Sequence, residues 1–459
     1  MKKINYLLAG IFLLLAVNIN GQTETHKLTL EDAIQIALKN NPADKIAFSK
    51  IKEAEGKITQ ANSLLAPKID LLGKYFYSNN LPYFFPQQMK KVPVMSPNGQ
   101  VPGEFVPLRP LSPFPSNSRD VFMFDLNMVY PLYTWGKITS ANENAETLKN
   151  LFETNKEETD AQIVYNVKKA FYNILFLNQV IDLHKKVIAQ LEEHLELAQK
   201  AYEEGVRSQF EVISFDAKIK EFKTKLVDLE GKLEVAKTGL SNLLNLPPQD
   251  SIYCIGNLQM SEEEIAKINS LTLDKIYSQN NKVEMLKKKE KLMDNMIKIN
   301  SADNKPVIFA FANYHVYHGR DFPPYDDAWR NGWAAGLGVK MKIFDGNMTS
   351  GKIQEAKAQM EGVKYTEEGL KLKLRFQYKS SIEKIRSLQE QLKAVQNTLK
   401  VAEKGYEIAK ISYENGVITN VQLDDAQLNV LRNKTRLYQI NKELLLEKAN
   451  LDLILGKLN

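Results

Sequence analysis

One break in the chain occurs twice. The stretch AYEEGVRSQF at 201–210 interrupts a heptad pattern, and a near copy, SYENGVITNV, lies 211 residues later at 412–421. Before the first break, Ile174, Leu177, Ile181, Ile188, Leu191, Leu195 and Ala198 alternate spacings of three and four, with only His184 interrupting the apolar seam. Before the second, Ile385, Leu388, Leu392, Val395, Leu399 and Ala402 do the same. Returning seams follow each break, from Val212 to Leu243 and from Leu423 to Ile454. A sustained 3.5 period specifies left-handed coiled-coil packing. A helix from about 138 to 203 would be roughly 100 Å long at 1.5 Å per residue, longer than a globular domain. Gly205 and Gly416 read as helix stops, each taking the left-handed conformation that closes a C-terminus. Each break is therefore expected at the tip of an antiparallel helical hairpin.

The rest of the chain is duplicated too, so it reads as two copies of one plan. LTLEDAIQIA at Leu28 pairs with LTLDKIYSQN at Leu271, APKIDLLGKYFY at Ala66 with NKPVIFAFANYHV at Asn304, and VYPLYTWGKITSA at Val129 with KMKIFDGNMTSG at Lys340. The expected division is a first copy at 22–245, an inter-repeat segment at 246–270 and a second copy at 271–459. The first copy carries about 28 extra residues between Tyr77 and Arg119. This stretch holds nine of the 17 prolines, so it reads as an extended loop.

Four segments alternate in polarity: 67–78, 119–133, 306–318 and 331–344. Ile69, Leu71, Tyr75 and Tyr77 oppose Lys68, Asp70 and Lys74; Phe122, Phe124, Leu126 and Met128 oppose Met123, Asp125 and Asn127. In the second copy, Trp333, Ala335, Leu337, Val339, Met341 and Ile343 share one face. About ten residues of period two is the length a tilted strand needs to cross a bilayer. A soluble antiparallel sheet with one buried face gives the same alternation. In lipid an open sheet edge is not tolerated, so on the membrane reading strands from several chains must close together.

The first 21 residues favour a membrane address. Lys2 and Lys3 precede an apolar run from Tyr6 to Val17, and Gly21 offers a cleavage site. This pattern is an export signal, with a membrane anchor as the alternative. No other segment is apolar enough for a spanning helix. Cys254 is the only cysteine, which excludes an intrachain disulfide. The formal charge of +6 is spread over interleaved Lys and Glu, which does not indicate nucleic-acid binding. His315 and His318 sit three apart on a predicted strand and face opposite ways, and the run KKKEK at 287–291 reads as a solvated helix face. No phosphate loop, paired-cysteine motif or catalytic triad is present, so neither enzyme activity nor a cofactor or metal is expected.

The ordered set of repeats, the strand-to-helix junctions PLYTWGK (131–137) and KIFDGN (342–347), the tips YEEGVRSQFEV (202–212) and YENGVITNVQL (413–423) and the ending ILGKLN resemble the TolC family of outer-membrane efflux channels. The match spans residues 28–459. It implies an α+β membrane protein: a homotrimer whose three sets of four strands form one 12-stranded β-barrel, continued by a long α-helical coiled-coil barrel in the periplasm. It implies as partners a periplasmic adaptor protein, an inner-membrane pump of RND or ABC type, and outer-membrane lipid. A passive exit duct for small molecules is the leading expectation. A protein-secretion duct coupled to an ABC exporter is the alternative within the family, and a periplasmic coiled-coil scaffold without a pore is the alternative outside it.

The resemblance also implies site residues. Tyr413 and Gly416 match the family's tip Tyr and Gly, and Glu211 takes the place of an acid that helps hold the tip shut, so a Tyr413–Glu211 hydrogen bond is expected. Gln422 and Asp425 occupy the positions of two acids that ring the aperture, and Asp424 adds a carboxylate beside them; a solvated first turn of the returning helix, favoured by its dipole, is the alternative for both Asp424 and Asp425. The family's Arg two residues past the second Gly is Ile418 here. The adaptor-docking edge is expected at Tyr202, Gly205, Val206, Arg207, Gly416 and Val417.

Overall fold

The computed structural model describes residues 25–78, 91–93, 105–107, 119–269, 271–318 and 329–456. The export segment at 1–21, most of the Pro-rich stretch and the last three residues lie outside the described residues. In chain order the elements are β1 (Thr25–Leu28), α1 (Leu30–Asn40), α2 (Pro42–Asn62), β2 (Lys68–Ser78), β3 (Lys91–Pro93), β4 (Phe105–Pro107), β5 (Arg119–Tyr133), α3 (Lys137–Glu203), α4 (Gln209–Leu244) and β6 (Ser251–Cys254). There follow α5 (Glu262–Asn269), α6 (Leu273–Gln279), α7 (Asn281–Ser301), β7 (Val307–His318), β8 (Trp329–Lys340), α8 (Met348–Glu414) and α9 (Asn420–Ile454). α3 and α8 each have 67 residues, about 100 Å of helix.

The chain divides into two compact units, and the division is not the sequence repeat. One unit holds 1–56, 146–293 and 358–459; the other holds 57–145 and 294–357. Each draws on both copies. In the smaller unit the reason is the sheet, whose order is β2-β5-β7-β8: β5 of the first copy ladders onto β7 of the second.

That sheet is antiparallel throughout. β2 and β7 begin directly after Pro67 and Pro306, which have no N–H to give to a ladder. The register sorts the faces. Leu71, Leu126, Tyr314 and Trp333 stand in one rank, and Asp70, Asn127, Asn313 and Ala334 in the adjacent rank on the opposite face. The Asn313 amide donates to the Asn127 side chain at 2.6 Å. Three glycines of β8 lie under rings of β7: Gly332 under His315, Gly336 under Phe311 and Gly338 under Phe309. At Gly338 a Cβ would stand 2.5 Å from the Phe309 ring, so a larger residue would have to push that ring aside. The expected strand 331–344 is corrected to Trp329–Lys340. Lys340 pairs with Val307, the first residue of β7, so no ladder partner remains for Met341 to Phe344, and Ile343 and Phe344 stand exposed.

The larger unit is built from two helical hairpins. Lys185–Glu230 and Lys223–Glu192 ion pairs run α4 antiparallel to α3, and Lys434–Glu403 and Lys384–Glu447 do the same for α9 against α8. Between these helices the seam residues bury: Ile174, Ile181, Ile188 and Leu191 on α3, Phe215, Ile219 and Phe222 on α4, Ile385 and Leu388 on α8, and Ile440, Leu444 and Leu451 on α9. His184, the seam's polar member, lays its ring on Phe222 and shares a hydrogen bond with the Val180 carbonyl. In the inter-repeat segment β6 pairs in parallel with β1, and Cys254 is buried there.

Candidate functional site

The two hairpin tips are built alike from the backbone. Gly205 has φ +75° and Gly416 has φ +73°. In the first, the N–H of Val206 donates to the Ala201 carbonyl and that of Gly205 to the Tyr202 carbonyl; in the second, Val417 donates to Ser412 and Gly416 to Tyr413. Both are Schellman closures, in which a left-handed glycine lets the last helical carbonyls find donors. The apolar residue after each glycine, Val206 or Val417, points into solvent, as do Gly205 and Gly416.

The side chains break this symmetry. Tyr413 is 2% exposed, whereas Tyr202, its counterpart in the other copy, is 44% exposed. The Tyr413 hydroxyl donates to the Glu211 carboxylate at 3.3 Å, and burial pushes its phenol up to about 12. The Arg207 guanidinium stands over the Tyr413 ring, its carbon 3.8 Å from the centroid. One of its amino groups donates to the Tyr413 carbonyl, and the other donates to Glu211 at 3.0 Å. Three contacts to one tyrosine thus converge from the first tip.

Arg207 therefore leaves the docking edge on which the sequence put it. Its side chain is 12% exposed, turned inward because a guanidinium can stack on an aromatic face and fork its donors at once. The arginine beside Tyr413 comes from the first tip, as Arg207, and not from position 418. Ile418 instead packs into the tip's apolar cluster with Leu423, Phe215 and Tyr413.

The acids separate as well. Asp424 is buried and Asp425 exposed. Burial pushes the Asp424 carboxyl above the usual range, against the pull of Lys218 on α4. Gln422 folds back on its own helix. Its side chain accepts from the Thr419 N–H at 3.0 Å while its own N–H donates to the Thr419 hydroxyl, completing a capping box that the first tip lacks. Of the sequence-derived set, Tyr413, Glu211 and Arg207 come together. Gln422, Asp425, Tyr202, Val206 and Val417 do not join them.

Sequence reasoning missed the floor of the site. His194 on α3 is 1% exposed, with its ring centroid 5.9 Å from Phe215 and 6.3 Å from Tyr413. Its Nε2 shares a 3.3 Å hydrogen bond with the Tyr406 hydroxyl. The available signal was a second helical stripe on α3: Val187, Gln190, His194 and Ala198 fall at spacings of three and four, and Gln190 accepts from Gln427 of α9. Among the described residues no group of three or more metal-ligating side chains forms, and no helix is long and apolar enough to cross a membrane.

Comparison with known proteins bears on this geometry. A family model described as outer membrane efflux protein matches residues 33–246 and 278–457. The fold is similar to that of the outer membrane protein VceC of Vibrio cholerae, at 16% identity and TM-score 0.72, covering 94% of this chain and 97% of that one. The CmeC outer membrane channel of Campylobacter jejuni matches at 15% identity and TM-score 0.73, covering 93% and 85%. The open state of the MtrE outer membrane channel of Neisseria gonorrhoeae matches at 15% identity and TM-score 0.70, covering 93% and 89%. No curated protein matches the sequence significantly.

Proposed function

The chain belongs to the outer membrane efflux protein family, and on that premise we propose that three copies form a passive exit duct for small molecules. The observation that carries this reading is the sheet of β2, β5, β7 and β8. Each strand has 11 to 15 residues, one face is apolar, and the outer edges of β2 and β8 have no partner strand among the described residues. Lipid tolerates no such edge. Closure of β8 on β2 of the next copy removes all of them, and twelve strands enclose a lumen wide enough for solutes. The polar rank with Asp70, Asn127 and Asn313 then faces water, and the rank with Leu71, Leu126 and Trp333 faces lipid.

The tips are the gate of this duct. Tyr413, held by Glu211 and Arg207, keeps the second hairpin seated against the first at rest, and release of that seat widens the aperture. Asp425, exposed on the second tip, sets a ring of three carboxylates around the passage. The exposed Val206 and Val417 with their glycines offer the docking edge for a periplasmic adaptor, which links the duct to an inner-membrane pump.

Two measurements test the reading. The mass of the detergent-solubilised protein should correspond to three chains; a stable monomer contradicts the closure argument. Deletion from the host should sensitise the cells to small toxic compounds and leave the secreted proteins unchanged. The converse pattern would assign the duct to protein secretion.

A further inference from the structure

His194 is buried against Tyr413, in the tip read above as the gate. Its ring, Phe215 of α4 and Tyr413 of α8 touch one another in a three-ring cluster, with Phe215 edge-on to Tyr413 at 5.9 Å. Tyr406, also on α8, takes up Nε2. Nδ1 is buried and has no hydrogen-bond partner among the described residues. The neutral imidazole suits this pocket: one nitrogen is bonded, and the ring packs on two aromatic neighbours.

The imidazolium does not suit it. Both nitrogens become donors on protonation, and Nδ1 faces no acceptor. A buried, unsatisfied charged donor is among the most expensive groups a protein can hold. The charges around the cluster do not compensate. On α8, Lys410 opposes the positive form and Glu414 favours it, while Glu193 on α3 is occupied by Lys410 at 3.3 Å. Glu211 of α4 lies beyond Tyr413 and is held by Arg207. Asp424 of α9 also lies toward Tyr413. Burial wins, and the His194 imidazole is held below its usual range.

We propose that His194 is the proton sensor of the gate: its protonation drives the ring out from between Phe215, Tyr406 and Tyr413, unseats Tyr413, and opens the aperture in acid. The proposal rests on the reading of the tips as the gate. The direction follows from linkage. The closed tip binds fewer protons at His194 than an open tip in which the ring meets water, so closure is favoured above the ordinary histidine value of about 6.5 and weakens as pH falls below it. The change is at most about tenfold per pH unit per sensor until the closed-state value is reached. The device exists once per chain. The counterpart of His194 in the second copy is Gly405, and the counterpart of Phe215 is Ala426.

The test is single-channel recording in planar bilayers at pH 7.5 and 5.5. The wild-type open probability should rise in acid, by up to about tenfold per sensor. His194→Gln and His194→Phe should lose that rise, or reverse it, since Asp424 titrates in the opposite sense. Glu211→Ala should be leaky at both pH values. An acid response that survives in both His194 variants, or a wild type indifferent to acid, overturns the sensor. If Glu211→Ala and Tyr413→Phe conduct no more than wild type at pH 7.5, the gate assignment fails instead, and the sensor with it. An independent check is NMR titration of the His194 ring. It should titrate below 6.5 in the wild type and move back toward it in Glu211→Ala; a wild-type ring that titrates at the ordinary value contradicts the proposal without reference to conductance.

Discussion

Tyr202 and Tyr413 hold the same position in the two copies, before identical Schellman glycines, yet Tyr413 is buried beneath Arg207 and Tyr202 faces solvent. The difference lies in what the opposite tip supplies. Tyr413 meets Arg207 and Glu211; the residues at the corresponding positions of the second tip are Ile418 and Gln422, one packed into the apolar cluster and the other folded into a capping box.

Tyr413→Phe removes one partly buried hydrogen bond and leaves Glu211 to Arg207 alone. A bond of this kind contributes about 0.5–1.5 kcal/mol net. The open-to-closed ratio in bilayer recordings should rise roughly 2- to 10-fold, whereas Tyr202→Phe should leave it unchanged.

Arg207→Ala removes the ring stacking and the donor to the Tyr413 carbonyl together, about 1–3 kcal/mol. It should open the tip more than Tyr413→Phe does. Arg207→Lys should rescue only part of this, because an ammonium cannot stack and fork at once. Full rescue by Lys in the same recordings would argue that charge alone matters.

Asp424 gives a pH effect of opposite sign to that of His194. Its carboxyl lies above the usual range because it is buried, and this buried arrangement is the one we propose for the shut gate. The closed state therefore binds more protons there than an open one, and closure gains stability as pH falls through the raised value. Asp424→Asn should lower the open probability at pH 7.5 and steepen the acid-induced opening, read from the same channels across pH 5 to 8.

The two faces of the sheet should respond differently to charge. Trp333→Arg places a cation on the apolar face and should cost about 2–4 kcal/mol if it falls near the bilayer midplane. Lys340→Glu, on the opposite face, should change ion selectivity with little loss of stability. Heat resistance of the assembled protein in detergent, followed by gel mobility, separates the two. Equal loss in both would mean that the sheet has no lipid face.

Much of this fold is legible in the sequence because it follows local rules. A seam of period 3.5 can be counted, a glycine stop can be seen, and alternation of period two marks β2 and β5. β8 shows the limit. Met341 and Ile343 continue the alternation of Leu337 and Val339, but the strand stops at Lys340 because β7 has no residue left to pair with them. Strand ends are set by the neighbour, and the neighbour lies outside the local pattern. The tip shows a second limit. The Tyr413–Glu211 contact could be anticipated from family resemblance, whereas the inward turn of Arg207 depends on a ring 206 residues away. His194 was hidden for a third reason. A polar residue beside a coiled-coil seam reads as solvent-facing until a second hairpin covers it.

The most direct measurement is the current through the purified assembly in a planar bilayer at neutral pH, recorded for the wild type and for Glu211→Ala. The expected result is a wild-type trimer that is mostly shut and a variant with the same unitary pore but a several-fold higher open probability. Trimers that carry no current in either form, even after Arg207→Ala, would contradict the duct and its gate together.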